Sequence, residues 1–101
     1  MTDPIFAFKG EGVAERVINR RKGARHAMMI FVQSDNLMAA EARAYQIAKD
    51  NGWSFIVLQK GGEVKIQPSE IDEPYLRAAL NDALQIGTAT IIYKAELPSN
   101  A

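Results

Sequence analysis

The strand-sized segment AMMIFV, residues 27–32, is apolar on both of its sides. In an extended chain successive side chains point to opposite faces, so Met28, Ile30 and Val32 share one face and Met29 and Phe31 the other. The same two-sidedness recurs in FIVL, where Phe55 and Val57 alternate with Ile56 and Leu58, and in TIIY, where Ile91 adjoins Ile92. Strands of this kind do not suit a sheet with one wet face, so both faces must be covered. Three covers for the second face are expected from the sequence: the N-terminal segment folding across, a second copy of the chain, or a small apolar ligand.

Around these strands the periodicity is helical. Leu37, Ala40, Ala44, Ile47 and Ala48 recur at helix spacing, with Glu41, Arg43, Gln46 and Lys49 on the wetter side. Ser34 or Asp35 is expected to cap this helix, and Asn51-Gly52 to end it in a left-handed turn. A second helix is expected from near Asp72, with Glu73 and Pro74 in its first turn and an apolar stripe of Leu76, Ala79, Leu80, Ala83 and Leu84. Between the helices, WSFIVLQKGGEVKIQ reads as a β-hairpin turning at Gly61-Gly62. After Gly87, TATIIYKAE supplies the last strand.

The order from residue 27 to 96 is strand, helix, strand, strand, helix, strand. It predicts an α+β fold with a ferredoxin-like βαββαβ core, two helices lying on one face of an antiparallel sheet. Residues 1–26 would then extend the sheet as a β-hairpin or strand segment. In that reading KGEG turns the chain, and a second turn at Arg20–Gly23 leads into the 27–32 strand. The rival for this region is a short helix from Val13 to Lys22. Residues 97–101 are expected to fray. With 101 residues, one domain is expected.

Composition narrows the chemistry. The chain has no cysteine, which removes disulfides, thiol nucleophiles and thiolate metal sites. Its single histidine and dispersed acids offer no metal-binding spacing, and EIDE (residues 70–73) is better placed to stabilise a helix start. GEGVAE lacks the third glycine of a dinucleotide fingerprint and carries Glu11 inside the loop. No catalytic residue, metal or cofactor is therefore assigned. No apolar run reaches the ~18 residues of a membrane span, and the first residues carry an acid where a leader would carry positive charge. The expected home is the cytoplasm.

Net charge is zero but unevenly placed. Residues 15–26, ERVINRRKGARH, hold five of the twelve Lys and Arg residues, one acid and the only histidine. Arg16, Arg20, Arg21, Lys22, Arg25 and His26 would form an anion attractor suited to phosphate oxygens, although the stretch has no aromatic residue for base stacking. The plainer reading is a polar turn whose charges guard a strand edge. Three functions follow as expectations. The first is a small non-enzymatic interaction or regulatory module, homodimeric through an open sheet face or edge. The second is a nucleic-acid or phosphate-ligand binder using the basic stretch. The third is a small dimeric α+β barrel-type enzyme with His26 or a tyrosine in a pocket wall.

Overall fold

The fold is built on a central antiparallel hairpin. The structure, a computed structural model, describes residues 3–98. Strand β1 (Ile5–Ala14) pairs with β2 (Arg25–Gln33), Phe8 standing opposite Ile30 and Gly10 opposite Met28. Helix α1 (Leu37–Asp50) follows, then β3 (Trp53–Glu63), a 3-10 turn at Pro68–Glu70, helix α2 (Pro74–Ile86) and β4 (Thr88–Glu96). The sheet is wholly antiparallel, in the order β3-β1-β2-β4. β2 and β3, joined by α1, are thus parallel to each other with β1 between them, a split βαβ arrangement. Among the described residues no helix is long and apolar enough to cross a membrane.

Both helices and the last strand form where their patterns place them, but the βαββαβ order of residues 27–96 does not. Gly61-Gly62 is not a turn: neither glycine takes a positive φ, and β3 runs straight through them, pairing Gly61 with Phe8 and Gly62 with Ala7. The Phe8 ring occupies the space a Cβ on Gly61 would need, so the glycine serves ring packing and not chain reversal. KGEG is likewise strand and not turn. Gly10 lies against the Val57 carbonyl, and a Cβ on Gly12 would sit 3.0 Å from the Met28 methyl. The N-terminal segment therefore supplies an inner strand, and the region expected to be a hairpin arm turning at Arg20–Gly23, or in the rival reading a helix over Val13–Lys22, is the end of β1 and the loop 15–24. Gly23 takes the left-handed φ of 88° expected of it.

The two helices lie on opposite faces, not on one. Ala40, Ala44 and Ala48 of α1 pack with Phe6, Phe8, Met28, Ile30, Val32 and Trp53. Ala79, Leu80 and Ala83 of α2 pack with Ile5 and Phe31, flanked by Ala7, Met29, Ala89 and Ile91. The second apolar face read from the sequence is thus covered by α2, which is none of the three covers expected for it. Each large sheet side chain so buried contributes roughly 1.5–3 kcal/mol, and the small alanines let α1 approach the sheet closely. α1 leans towards β3, β1 and β2, whereas α2 leans towards β4 and β2. One half of each face is left open.

Local signals agree with these boundaries. Asn36 caps α1, its side-chain oxygen accepting the Ala39 N–H at 2.8 Å, one residue beyond the expected Asp35. Gly52 and Gly87 both take φ of 94° beyond the helix ends. Pro74 opens α2, so Asp72 and Glu73 precede the helix, while Glu70 accepts the Gln67 N–H at 2.6 Å. Leu97 and Pro98 follow β4 without regular structure; the rest of the expected fray, residues 99–101, lies outside the described residues. Phe55 breaks the pattern. It sits in the left-handed region at φ 48°, at a register shift in β3, with 79% of its surface exposed.

Two stability outcomes follow. Gly61→Val drives a side chain into the Phe8 ring and is expected to lower unfolding free energy by ~1–3 kcal/mol in urea titration. Phe55→Asn relieves a left-handed β-sheet aromatic and removes little burial, so it is expected to raise stability by about 1 kcal/mol.

Candidate functional site

The basic stretch does not present its six candidate residues together. Arg25 and His26 are neighbours in β2, so alternation sends them to opposite faces. Arg25 lies on the α2 face, where Nη1 donates to a Glu11 oxygen at 2.8 Å across the hairpin. His26 turns to the α1 face and is 2% exposed. Its Nδ1 lies 2.9 Å from the Tyr93 carbonyl and its ring meets Trp53 edge-on at 5.7 Å. That carbonyl can only accept, so Nδ1 carries a proton, and Nε2 is buried without a partner.

The other four residues belong to the loop 15–24, which is strapped to the fold at three points. The Glu15 and Arg16 N–H groups donate to the Gly52 carbonyl at 3.1 and 3.0 Å. The Gly23 N–H donates to the Ala14 carbonyl at 2.7 Å. Arg21 reaches the far end of the chain, where Nη2 donates to a Glu96 oxygen at 2.8 Å and Nε to the other at 3.2 Å. Arg20 Nη1 donates to the neighbouring Asn19 carbonyl, while its Nε is buried without a partner. Arg16, Arg20 and Lys22 form no ion pair among the described residues.

Two further features, which the basic stretch drew attention away from, come from the half-covered faces. The first is a groove of about 620 Å³ on the α1 face, lying between the C-terminal end of α1 and β4. Met28, Trp53 and Ile92 give it an apolar lining, Ile47 and Ala48 its helix wall, and Thr88 and Thr90 its strand wall. Neither His26 nor a tyrosine is among its lining residues. The second is the outer edge of β4. The Gln33 N–H donates to the Gly87 carbonyl at 2.8 Å, which fixes the alternation along β4. Ala89 and Ile91 then direct their backbone groups to β2, and Thr88, Thr90 and Ile92 direct theirs outwards.

Two groups near the end of β4 are electrostatically perturbed. The Arg21 hydrogen bond holds the Glu96 carboxyl below its ordinary range, partly opposed by desolvation. Burial, and then Tyr75, raise the Tyr93 hydroxyl, the two rings meeting edge to face at 6.2 Å. Among the described residues there is no cluster of three or more His, Asp or Glu able to hold a metal ion.

Comparison of the chain with protein-family models, with curated proteins and with solved structures finds no match in any of the three. The residues themselves carry the functional reading.

The Glu96 tether has a pH signature. A carboxyl whose folded value is depressed stabilises at neutral pH, and the contribution disappears as pH falls through that value. Protection of the loop 15–24 amides, taken relative to their intrinsic exchange rates at each pH, is expected to fall once pH drops below the 4.5 of an unperturbed glutamate. Glu96→Gln should abolish that pH dependence, and added salt should weaken it because the pair is exposed.

Proposed function

We propose that the protein is a small non-enzymatic interaction module of the cytoplasm that self-associates by pairing the β4 edges of two copies. The observation that carries this reading is the contrast between the sheet's two outer strands. β3 is unsuited to pairing, because two register shifts and the left-handed Phe55 interrupt it. β4 keeps an unbroken register with β2 from Thr88 to Ile92, its one register shift falling between Ile92 and Glu96, and no charged residue or proline occurs before Lys94. A regular, uncharged edge with free backbone groups is a template for another strand.

An antiparallel pairing about a two-fold axis at Thr90 satisfies these groups. Thr90 of one copy lies opposite Thr90 of the other, and Thr88 opposite Ile92. Three such pairs exchange about six backbone hydrogen bonds and make one continuous eight-stranded sheet, since each pair of facing residues shares two. The α2 flank beside β4 supports the same contact. Tyr75, edge-on to Tyr93, and Ile86, three turns further on the same flank, are 50% and 77% exposed. Asp82, between them, keeps the middle of that flank polar.

A second reading rests on Arg16, Arg20 and Lys22, the cations of the basic stretch without an ion-pair partner among the described residues. They would attract a nucleic-acid or other phosphate group, with affinity falling steeply in salt.

The edge reading is tested by solution mass. Light scattering is expected to give about twice 11.2 kDa for the native chain. Thr90→Pro removes an outward N–H and no bond within the chain, so it is expected to yield a folded monomer by the same measurement. A native monomer at all concentrations, or an unaltered Thr90→Pro dimer, defeats the pairing. Salt-sensitive binding of a short RNA by a native monomer, lost in the Arg16/Arg20/Lys22 triple alanine, would establish the second reading in its place.

A further inference from the structure

The groove beside α1 has a charge arrangement that its apolar floor does not require. Gly52 brings two ionised residues to one end of it. Arg16 is held there because its N–H donates to the Gly52 carbonyl at 3.0 Å, and Asp50 stands two residues before Gly52 at the end of α1. Both residues line the groove and both are exposed. Despite their opposite charges they form no ion pair with each other. Asp50 accepts one hydrogen bond, from Gln46 Nε2 at 2.7 Å, and Arg16 makes no side-chain hydrogen bond among the described residues. The accessible apolar lining is Val17, Ile18, Ile47 and Ile92, over buried Met28 and Trp53, with Thr88 and Thr90 along the strand wall.

We propose that the groove binds a zwitterionic α-amino acid with an apolar side chain. The carboxylate pairs with Arg16, the ammonium with Asp50, and the side chain lies against Ile18, Ile47 and Ile92. Charge complementarity selects this class. A simple carboxylate would meet repulsion from Asp50, a simple amine would meet it from Arg16, and a neutral apolar molecule would leave both charges unused. An amino acid offers both charges on adjacent atoms and an apolar group pointing away from them. The arginine fork adds directional recognition of the carboxylate. A volume of about 620 Å³ exceeds one such amino acid. An apolar dipeptide carries the same pair of charges further apart, and the two sources are separated by experiment. The pairing proposed for β4 uses the backbone of Thr88, Thr90 and Ile92, whereas this proposal uses the charged end of the groove at Arg16 and Asp50.

Trp53 is the only tryptophan and lies buried beneath the groove, so its fluorescence is a probe of occupancy. L-leucine and leucyl-leucine would be titrated into the native chain, with calorimetry as a second readout. A saturable change with L-leucine is expected. It should weaken at least tenfold for N-acetyl-leucine, which lacks the cation, and for leucinamide, which lacks the anion. Arg16→Gln and Asp50→Asn, both at exposed positions, should each weaken it at least tenfold while leaving the circular dichroism spectrum unchanged. Stronger binding of leucyl-leucine with the same two dependences would assign the site to peptide and not to free amino acid. The proposal is overturned by no saturable response up to millimolar concentration. It is overturned equally by binding that survives both substitutions, or by equal binding of isoamyl alcohol, which reduces the groove to an unselective apolar surface.

Discussion

The central hairpin is apolar on both faces, and the rest of the architecture is a response to that. Met28, Ile30 and Val32 point one way from β2 and Met29 and Phe31 the other, with Phe6 and Phe8 set against Ile5 and Ala7 in β1. A hairpin of this kind cannot occupy an edge or leave a face in water without exposing several large side chains. It therefore sits in the middle, takes β3 and β4 as flanking strands, and receives one helix on each side. One helix is narrower than four strands, so neither covers its whole face. α1 spans the β3 side and α2 the β4 side. The groove beside α1, and the exposed Phe55 and Val57 beyond α2, are the two strips that remain.

Charge is organised around the same hairpin. The loop 15–24 joins its two strands and carries most of the basic stretch, yet its main ties are to distant backbone and to one distant carboxylate. Gly52 at the end of α1 captures the loop's first N–H groups, and Glu96 at the end of β4 captures Arg21. The loop therefore bridges α1 and β4, the two elements that bound the groove. Exposed pairs such as Arg21–Glu96 contribute little to global stability, but they restrict where a surface loop rests. A cluster that looks like one binding surface in the sequence is in the structure a strap with three cations left over.

Elements with a strong period were legible from sequence, to the residue in two cases: α1 over Leu37–Asp50 and β4 over Thr88–Glu96. So was the demand that both sheet faces be covered. What misled was glycine. KGEG and KGG have the composition of turns, but a glycine in a strand serves equally where another group must occupy the missing side chain's place. The Phe8 ring beside Gly61 and the Val57 carbonyl beside Gly10 are such groups, and neither can be identified without the pairing of β1 with β3. Once the hairpin at Gly61-Gly62 is lost the strand count changes, β1 takes a central place, and α2 crosses to the other face. The site was less legible for a related reason. That Arg25 and His26 diverge follows from strand alternation, whereas their partners Glu11 and Tyr93 lie 14 and 67 residues away. Arg21 finds Glu96 at a separation of 75.

The open edge and the groove have one cause. Because α1 is drawn towards β3 by Ala40, Ala44 and Ala48 seated on β1 and β2, the α1-side residues of β4 have no helix above them. Those residues are Thr88, Thr90 and Ile92, the same three whose backbone groups face outwards at the sheet edge. One short run of chain thus presents hydrogen-bonding backbone to the side and a mixed threonine–isoleucine surface above. Threonine suits both positions. Its β-branch favours the strand, its hydroxyl tolerates water, and its methyl still packs beside Ile92. An alternation of larger apolar residues here would leave an exposed patch prone to unselective association, and charged residues would close the edge to pairing. Selective contact, whether with a second strand or with a molecule in the groove, is what this composition leaves available.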